Sequence, residues 1–141
     1  MPAQWPPSGR LPRRVSLDTL LTLHSWVRWL VLLGLVAGVG LGISRHLAGG
    51  GWEPGRFSAA VIALDVEVLI GIVLYLGNEG WDQGTFIAIV HPSLVLLALA
   101  VAHVGLGYAK RNAGGEPNKV VAYAFFVSVV LVVAAVPWDR L

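Results

Sequence analysis

The 141-residue chain contains no cysteine, and this absence excludes several kinds of chemistry. Without thiolates there are no disulfides, no thiolate zinc sites, no cysteine-ligated iron–sulfur clusters and no covalent haem attachment through C-x-x-C-H. A metal bound by this chain would therefore need histidine, carboxylate or methionine ligands, and methionine occurs only once.

Charged residues are also scarce, at 13% of the chain, whereas soluble domains have about a quarter. Hydrophobic residues make up 56% and the mean hydropathy is +0.72, which places the chain in the membrane class. The net charge of +2 is small. Basic residues lie at the ends of apolar runs, where they would contact lipid headgroups. We expect a lipid bilayer as the surroundings and no binding of nucleic acid.

Four apolar runs dominate the sequence, and each has the ~20 residues that a helix needs to cross ~30 Å of hydrocarbon. Stretches rich in Gly, Pro, Asn and Asp separate them, so consecutive helices should be antiparallel. The sequence predicts an all-α integral membrane protein, a four-transmembrane-helix up-down bundle. The predicted parts are an irregular tail over residues 1–16 and one membrane domain over 17–141, with helices near 17–43, 57–76, 85–108 and 120–136.

The side of the membrane on which the termini lie is only weakly encoded, because Lys and Arg are nearly balanced between the two sides. The connection between the second and third runs would share the side of the termini. It contains Glu79 and Asp82 but neither Lys nor Arg. This composition favours termini outside.

The first run carries polar and small residues on one stripe. At 100° per residue, Arg28, Gly38 and Gly42 lie within about 40° of His24. The glycines would let a flat ligand approach closely, or would simply allow close helix packing. An arginine inside a span costs at least ~2.5 kcal/mol unless it is paired or reaches the interface. Arg28 therefore needs a partner such as a carboxylate, a haem propionate or a lipid headgroup.

The second run contains two acids, Asp65 and Glu67, that point about 200° apart on a helix. A short antiparallel connection brings Glu67 within reach of Arg28 and predicts a buried ion pair. Asp65 lies near mid-membrane, where we expect it to be protonated or hydrogen-bonded to a His or Ser. The alternative is that it marks a proton path.

The third run contains His91 and His103, which are rotated by about 120° and should contact different neighbours. Threading the bundle places His24 and His91 in the same leaflet. Two imidazoles on facing helices, beside small residues and an arginine, are typical of a b-type haem site. A hydrogen-bonded polar network is the alternative.

The motifs LHSWVRWLVLL, LIGIVLYL, HPSLVLLALAVAH and the closing PW resemble a largely uncharacterised family of small bacterial four-span membrane proteins, often labelled cytochrome b-like. The resemblance implies a bacterial inner membrane location and gives weight to His24, Arg28, Gly71, Tyr75, His91 and His103. The chain departs from that family at Asp65 and Glu67, where the family has His and Gln. This departure argues against a second haem.

We therefore expect an integral membrane electron carrier with haem b, or a small membrane subunit of a respiratory or photosynthetic redox complex, without catalytic activity of its own. His24 and His91 would be the axial ligands, with His103 as the alternative ligand. A chlorophyll-type pigment is the other possible macrocycle, and a larger redox complex and a quinone are the expected partners. Two alternatives stay open: a cofactor-free structural accessory subunit, and a proton or small-solute conductor that uses Asp65 and Glu67.

Overall fold

The structure, a computed structural model, describes residues 11–138, with side chains from residue 17 onward, and this part contains helices and no strands. The four long helices are α1 (Leu11–Leu47), α2 (Gly55–Gly77), α3 (His91–Arg111) and α4 (Pro117–Ala135). Each has a segment long and apolar enough to cross a membrane. The predicted all-α bundle of four spanning helices is thus confirmed, and the chain has the architecture of a multi-pass membrane protein.

The helix bounds differ from the predicted ones at the polar ends. α1 begins at Leu11, before the predicted start at residue 17, so the tail predicted as irregular is helical from that point; residues 1–10 lie outside the described residues. Pro12 falls in the first turn, where a missing N–H breaks no helical hydrogen bond. The 37 residues of α1 span about 56 Å, so this helix extends beyond the hydrocarbon layer.

The helices pack around a core of aliphatic residues and two phenylalanines. α4 packs against both α1 and α3, and α1 also packs against α2. Of the neighbouring pairs, α2 and α3 have the least extensive contact. We call the boundary between these two helices, lined by Asp65, Gly71 and Tyr75 of α2 and by His91 and His103 of α3, the α2–α3 seam.

The glycines of the α1 stripe contact α4, which corrects their predicted role in binding a cofactor. A Cβ at Gly38 would lie 2.5 Å from Cδ2 of Phe125, and one at Gly42 would lie 2.7 Å from the carbonyl oxygen of Asn118. Both positions are therefore filled by the neighbouring helix. They serve the close packing of α1 on α4, the alternative that the sequence left open.

Ionic and polar contacts fix the end of the bundle at which α1 passes into α2 and α3 into α4. The Glu53 carboxylate accepts hydrogen bonds from Arg56 and from Arg45, whose Nη2 is 2.6 Å away. These bonds lower the pKa of Glu53 below its usual value. Asn118, at the start of α4, donates a hydrogen bond of 3.0 Å to the carbonyl of Gly50. The opposite end of the bundle holds the polar cluster described next.

Candidate functional site

Two histidines predicted to share a leaflet meet inside the bundle. His24 of α1 and His91 of α3 have ring centroids 6.3 Å apart, with an angle of 77° between the ring planes. Both side chains are partly buried. The threading deduced from the sequence thus placed them correctly.

The position of His91 depends on an irregular turn that precedes it. A π-helical turn, Phe86–Val90, leads into α3, and such turns are frequent at functional sites. Pro92 has no N–H to donate to the carbonyl of Ala88 four residues earlier. That carbonyl accepts a hydrogen bond of 3.1 Å from the Tyr75 hydroxyl instead. Tyr75 therefore connects α2 to the turn that positions His91.

A carbonyl at the end of α4 fixes the orientation of the His91 ring. Nδ1 of His91 lies 2.7 Å from the carbonyl oxygen of Ala135. Because a carbonyl only accepts, Nδ1 carries the proton in this contact and Nε2 has a lone pair. Ala135 is the last residue of α4, so its carbonyl lacks the partner that a longer helix would supply.

A carboxylate stands beside the His24 ring. Oε1 of Glu67 lies 3.1 Å from Nδ1 of His24, close enough for an ion pair but not aligned for a hydrogen bond. On the other edge of the ring, a Cβ at Gly71 would lie 3.3 Å from Cε1 and 3.9 Å from Nε2. Gly71 therefore leaves room beside the ring that any larger residue would take.

The Nε2 atoms of His24 and His91 make no hydrogen bond with any residue between 11 and 138. Histidines that bind metals generally place the second ring nitrogen against a carbonyl or a carboxylate. The Ala135 carbonyl and the Glu67 carboxylate take these positions. The pair thus offers two nitrogens without a hydrogen-bond partner among the described residues, with the His91 ring held by a hydrogen bond and the His24 ring beside a carboxylate.

The predicted Arg28–Glu67 ion pair is wrong, because the register of α1 on α2 places Glu67 beside His24. Arg28 is buried, at 9% exposure, and forms no ion pair within the described part of the chain. Its Nε and the Oε2 of Glu67 both lack a hydrogen-bond partner there. The Arg28 guanidinium carbon lies 5.2 Å from the centroid of the Trp29 ring, a cation–π contact that offsets part of the cost of burying a cation without a counter-ion. Two buried polar atoms of this site, Nε of Arg28 and Oε2 of Glu67, are therefore available to a further hydrogen-bond partner.

Three cavities border the His24–His91 cluster. A small cavity of about 20 Å³, lined by His24, Arg28, Glu67 and His91 among others, has room for about one water molecule. A cleft of about 380 Å³, lined mainly by residues at the end of the bundle near the α2–α3 connection, reaches His24 and Arg28. An apolar groove of about 240 Å³ runs along the α2–α3 seam to His24 and His91.

His103 does not join this cluster, so its predicted role as the alternative ligand is not supported by its position. It lies twelve residues after His91, about 18 Å further along the helix axis. Its Nε2 is 2.8 Å from Oδ1 of Asp65. The expectations that the two histidines contact different neighbours and that Asp65 bonds to a His or Ser are both confirmed.

Sequence reasoning missed two contacts of the cluster, that of Glu67 with His24 and that of the Ala135 carbonyl with His91. Glu67, Gly71 and Tyr75 recur every fourth residue, so they share one face of α2. This stripe would have identified the helix face that meets His24. The Ala135 carbonyl carries no such signal, because a backbone acceptor is not visible in residue types.

Comparisons with protein-family models, curated proteins and solved structures found no match for this chain. The resemblance to cytochrome b-like proteins therefore stays a prediction. Among the side chains that the structure describes, no three from His, Cys, Asp or Glu are grouped as a metal site built by protein ligands alone would require. Functional inference consequently depends on the geometry of the His24–His91 cluster.

Proposed function

We propose that this membrane protein binds a b-type haem between His24 and His91 and carries electrons within the bilayer, alone or as the small subunit of a respiratory or photosynthetic redox complex. The observation that carries the proposal is the pair of imidazoles at 6.3 Å, in which neither Nε2 is hydrogen-bonded to a described residue. Nδ1 of His91 faces the Ala135 carbonyl, and Nδ1 of His24 lies 3.1 Å from the Glu67 carboxylate. The proposed location is a bacterial inner membrane, with the termini outside.

Two nitrogen ligands suit a macrocycle better than a bare ion. Protein metal sites commonly need at least three protein ligands, and the described residues group no such set. A haem would bring four nitrogen ligands of its own, so the chain would need to supply only His24 and His91. When bound, it supplies one-electron exchange.

Other residues of the cluster fit the rest of such a group. Arg28 offers a buried guanidinium, which has no carboxylate partner among the described residues, to a carboxylate that enters from the polar cleft. Gly71 leaves space beside the His24 ring, and the seam groove offers aliphatic walls to an apolar ring. Glu67 limits rotation of the His24 ring.

The α2–α3 seam is the side on which a macrocycle would enter. The small cavity between the rings holds about 20 Å³, and the groove of about 240 Å³ lies just below the range of ~300–1,000 Å³ typical of ligand pockets. The helices must therefore separate as the group binds. Their contact is the least extensive among neighbouring helices, so this separation disrupts the least packing.

The test is the visible spectrum of the purified protein, oxidised and then reduced with dithionite, with a pyridine haemochrome assay for stoichiometry. We expect a b-type band that is lost in His24→Ala and in His91→Ala but kept in His46→Ala and His103→Ala. Circular dichroism checks that all four variants stay helical. A chlorophyll-type pigment would replace the haem band with its own spectrum.

A featureless spectrum from protein made with ample haem and purified with its natural partners would refute the haem proposal. A cofactor-free accessory subunit would then be the better description. In that case His24→Ala should impair assembly of the larger complex. A quinone partner of the haem protein is tested separately, by reduction of the oxidised haem on addition of the quinol.

One observation favours a proton conductor as the second candidate. Each acid within α2 contacts a histidine: Asp65 contacts His103, and Glu67 contacts His24. The two pairs lie on different faces of α2, so a proton path would use one pair and not both. Proton flux into liposomes that is lost in Asp65→Asn would support this candidate, whereas unchanged flux would refute it.

A further inference from the structure

The Asp65–His103 pair lies on the outer surface of the bundle, in the middle of the spans. Asp65 is near the centre of α2, and its side chain is 39% exposed. His103 is 53% exposed, and Nε2 of its ring is 2.8 Å from Oδ1 of Asp65. Ionisable residues within spans almost always face a bundle interior or a water-filled cavity. At this depth the pair would otherwise face lipid.

Each member of the pair has one polar atom left over. Within the described part of the chain, Oδ2 of Asp65 and Nδ1 of His103 make no hydrogen bond. Oδ2 is an acceptor, and Nδ1 is a donor in the imidazolium form of the ion pair. One polar atom of each side chain is thus used within the chain, and the other, Oδ2 of Asp65 or Nδ1 of His103, is left for a partner.

We propose that the α2–α3 face binds the same face of a second copy of this chain, so that Asp65 of each copy contacts His103 of the other. Copies inserted in one orientation are related by a two-fold axis along the membrane normal. Because the two residues are hydrogen-bonded, they lie at the same depth. A rotation about that axis therefore brings acid opposite base twice, at one level.

This complementarity selects a second copy over an unrelated helix. A surface that carries one acid and one base side by side is its own complement under a two-fold rotation. The surrounding exposed residues, including Ile62, Leu69 and Leu96, are aliphatic and suit close packing in lipid. Neither Asp65 nor His103 contacts the His24–His91 cluster, although Leu96 of this face also lines the seam groove.

Exchange of the two residues is the decisive test. Dimerisation of purified protein in lipid vesicles is measured by Förster transfer between labelled copies over a series of protein-to-lipid ratios. Asp65→His and His103→Asp each leave like groups opposite one another, and we expect dimerisation at least about tenfold weaker, since two symmetric contacts are lost. The double exchange restores one acid and one base, and we expect it to restore dimerisation.

The absence of native cysteine gives a second, independent measurement. Leu69→Cys, one turn from Asp65, should form a disulfide-linked dimer on oxidation in membranes. Val130→Cys is the matched control, since it is 52% exposed on α4. A monomeric chain at every lipid ratio, equal cross-linking of both variants, or single exchanges without effect would overturn the proposal. If the α2–α3 face were covered only within a larger native complex, its partner would be a different membrane protein, and this result would equally overturn the proposal.

Discussion

The replacement of Gly38 by alanine tests the packing of α1 on α4. The added Cβ would lie 2.5 Å from Cδ2 and 2.7 Å from Cε2 of Phe125, closer than real Cβ contacts. The Phe125 ring is fully buried and packs edge-on against Phe57 at 6.1 Å, so it has little freedom to move. We expect Gly38→Ala to lower the free energy of unfolding by ~1–3 kcal/mol, the usual cost of overpacking a core.

Gly40→Ala is the matched control on the same helix. A Cβ there meets nothing within 4 Å, so this variant should be neutral or stabilised by up to ~1 kcal/mol through helix propensity. Unfolding of each variant is followed by circular dichroism in mixed micelles with increasing denaturing detergent. In a Phe125→Leu background the loss due to Gly38→Ala should shrink, because the two sites are in contact. Equal effects at the two glycines would refute the packing argument.

Three further predictions concern other parts of the molecule. Ser128→Ala should cost ~0.5–1.5 kcal/mol in the same unfolding assay, because the buried hydroxyl shares its one proton between the Ala98 carbonyl of α3 at 3.0 Å and the Ala124 carbonyl of its own helix at 2.9 Å; an unchanged midpoint would contradict a contribution from the contact with α3. Glu53 has a lowered pKa because it accepts hydrogen bonds from two arginines. Its stabilising effect is present above the ordinary carboxyl pKa and is lost as pH falls through the lowered value, so the stability difference from Glu53→Gln should vanish at acid pH in a thermal unfolding series. Gly71→Leu should abolish the haem band that Gly40→Leu keeps, and retention of the band by both would exclude binding along the seam.

The fold was largely predictable because membrane spans are encoded by length and hydropathy. Four apolar runs of sufficient length, with turn residues between them, allowed few other architectures. The exact ends were less predictable, since polar residues continue a helix into the interface. α1 reaches Leu11 and Leu47 for this reason.

The site was predictable only as far as helical periodicity and antiparallel threading extend. They brought His24 and His91 together and gave Asp65 a histidine partner. They failed for Glu67, because its choice between His24 and Arg28 depends on an axial register of about one turn. Periodicity also could not decide whether Gly38 admits a ligand or a phenylalanine.

The backbone carbonyl that orients His91 has a genetic consequence. No side-chain substitution at Ala135 removes that acceptor, so an alanine scan of α4 would report this helix as irrelevant to the imidazole. Deleting one residue between Ser128 and Ala135 would turn the helix end by about 100° and shorten it by about 1.5 Å. The orientation of His91 is therefore specified by the length of α4, a property to which insertions and deletions are sensitive and point substitutions are nearly blind.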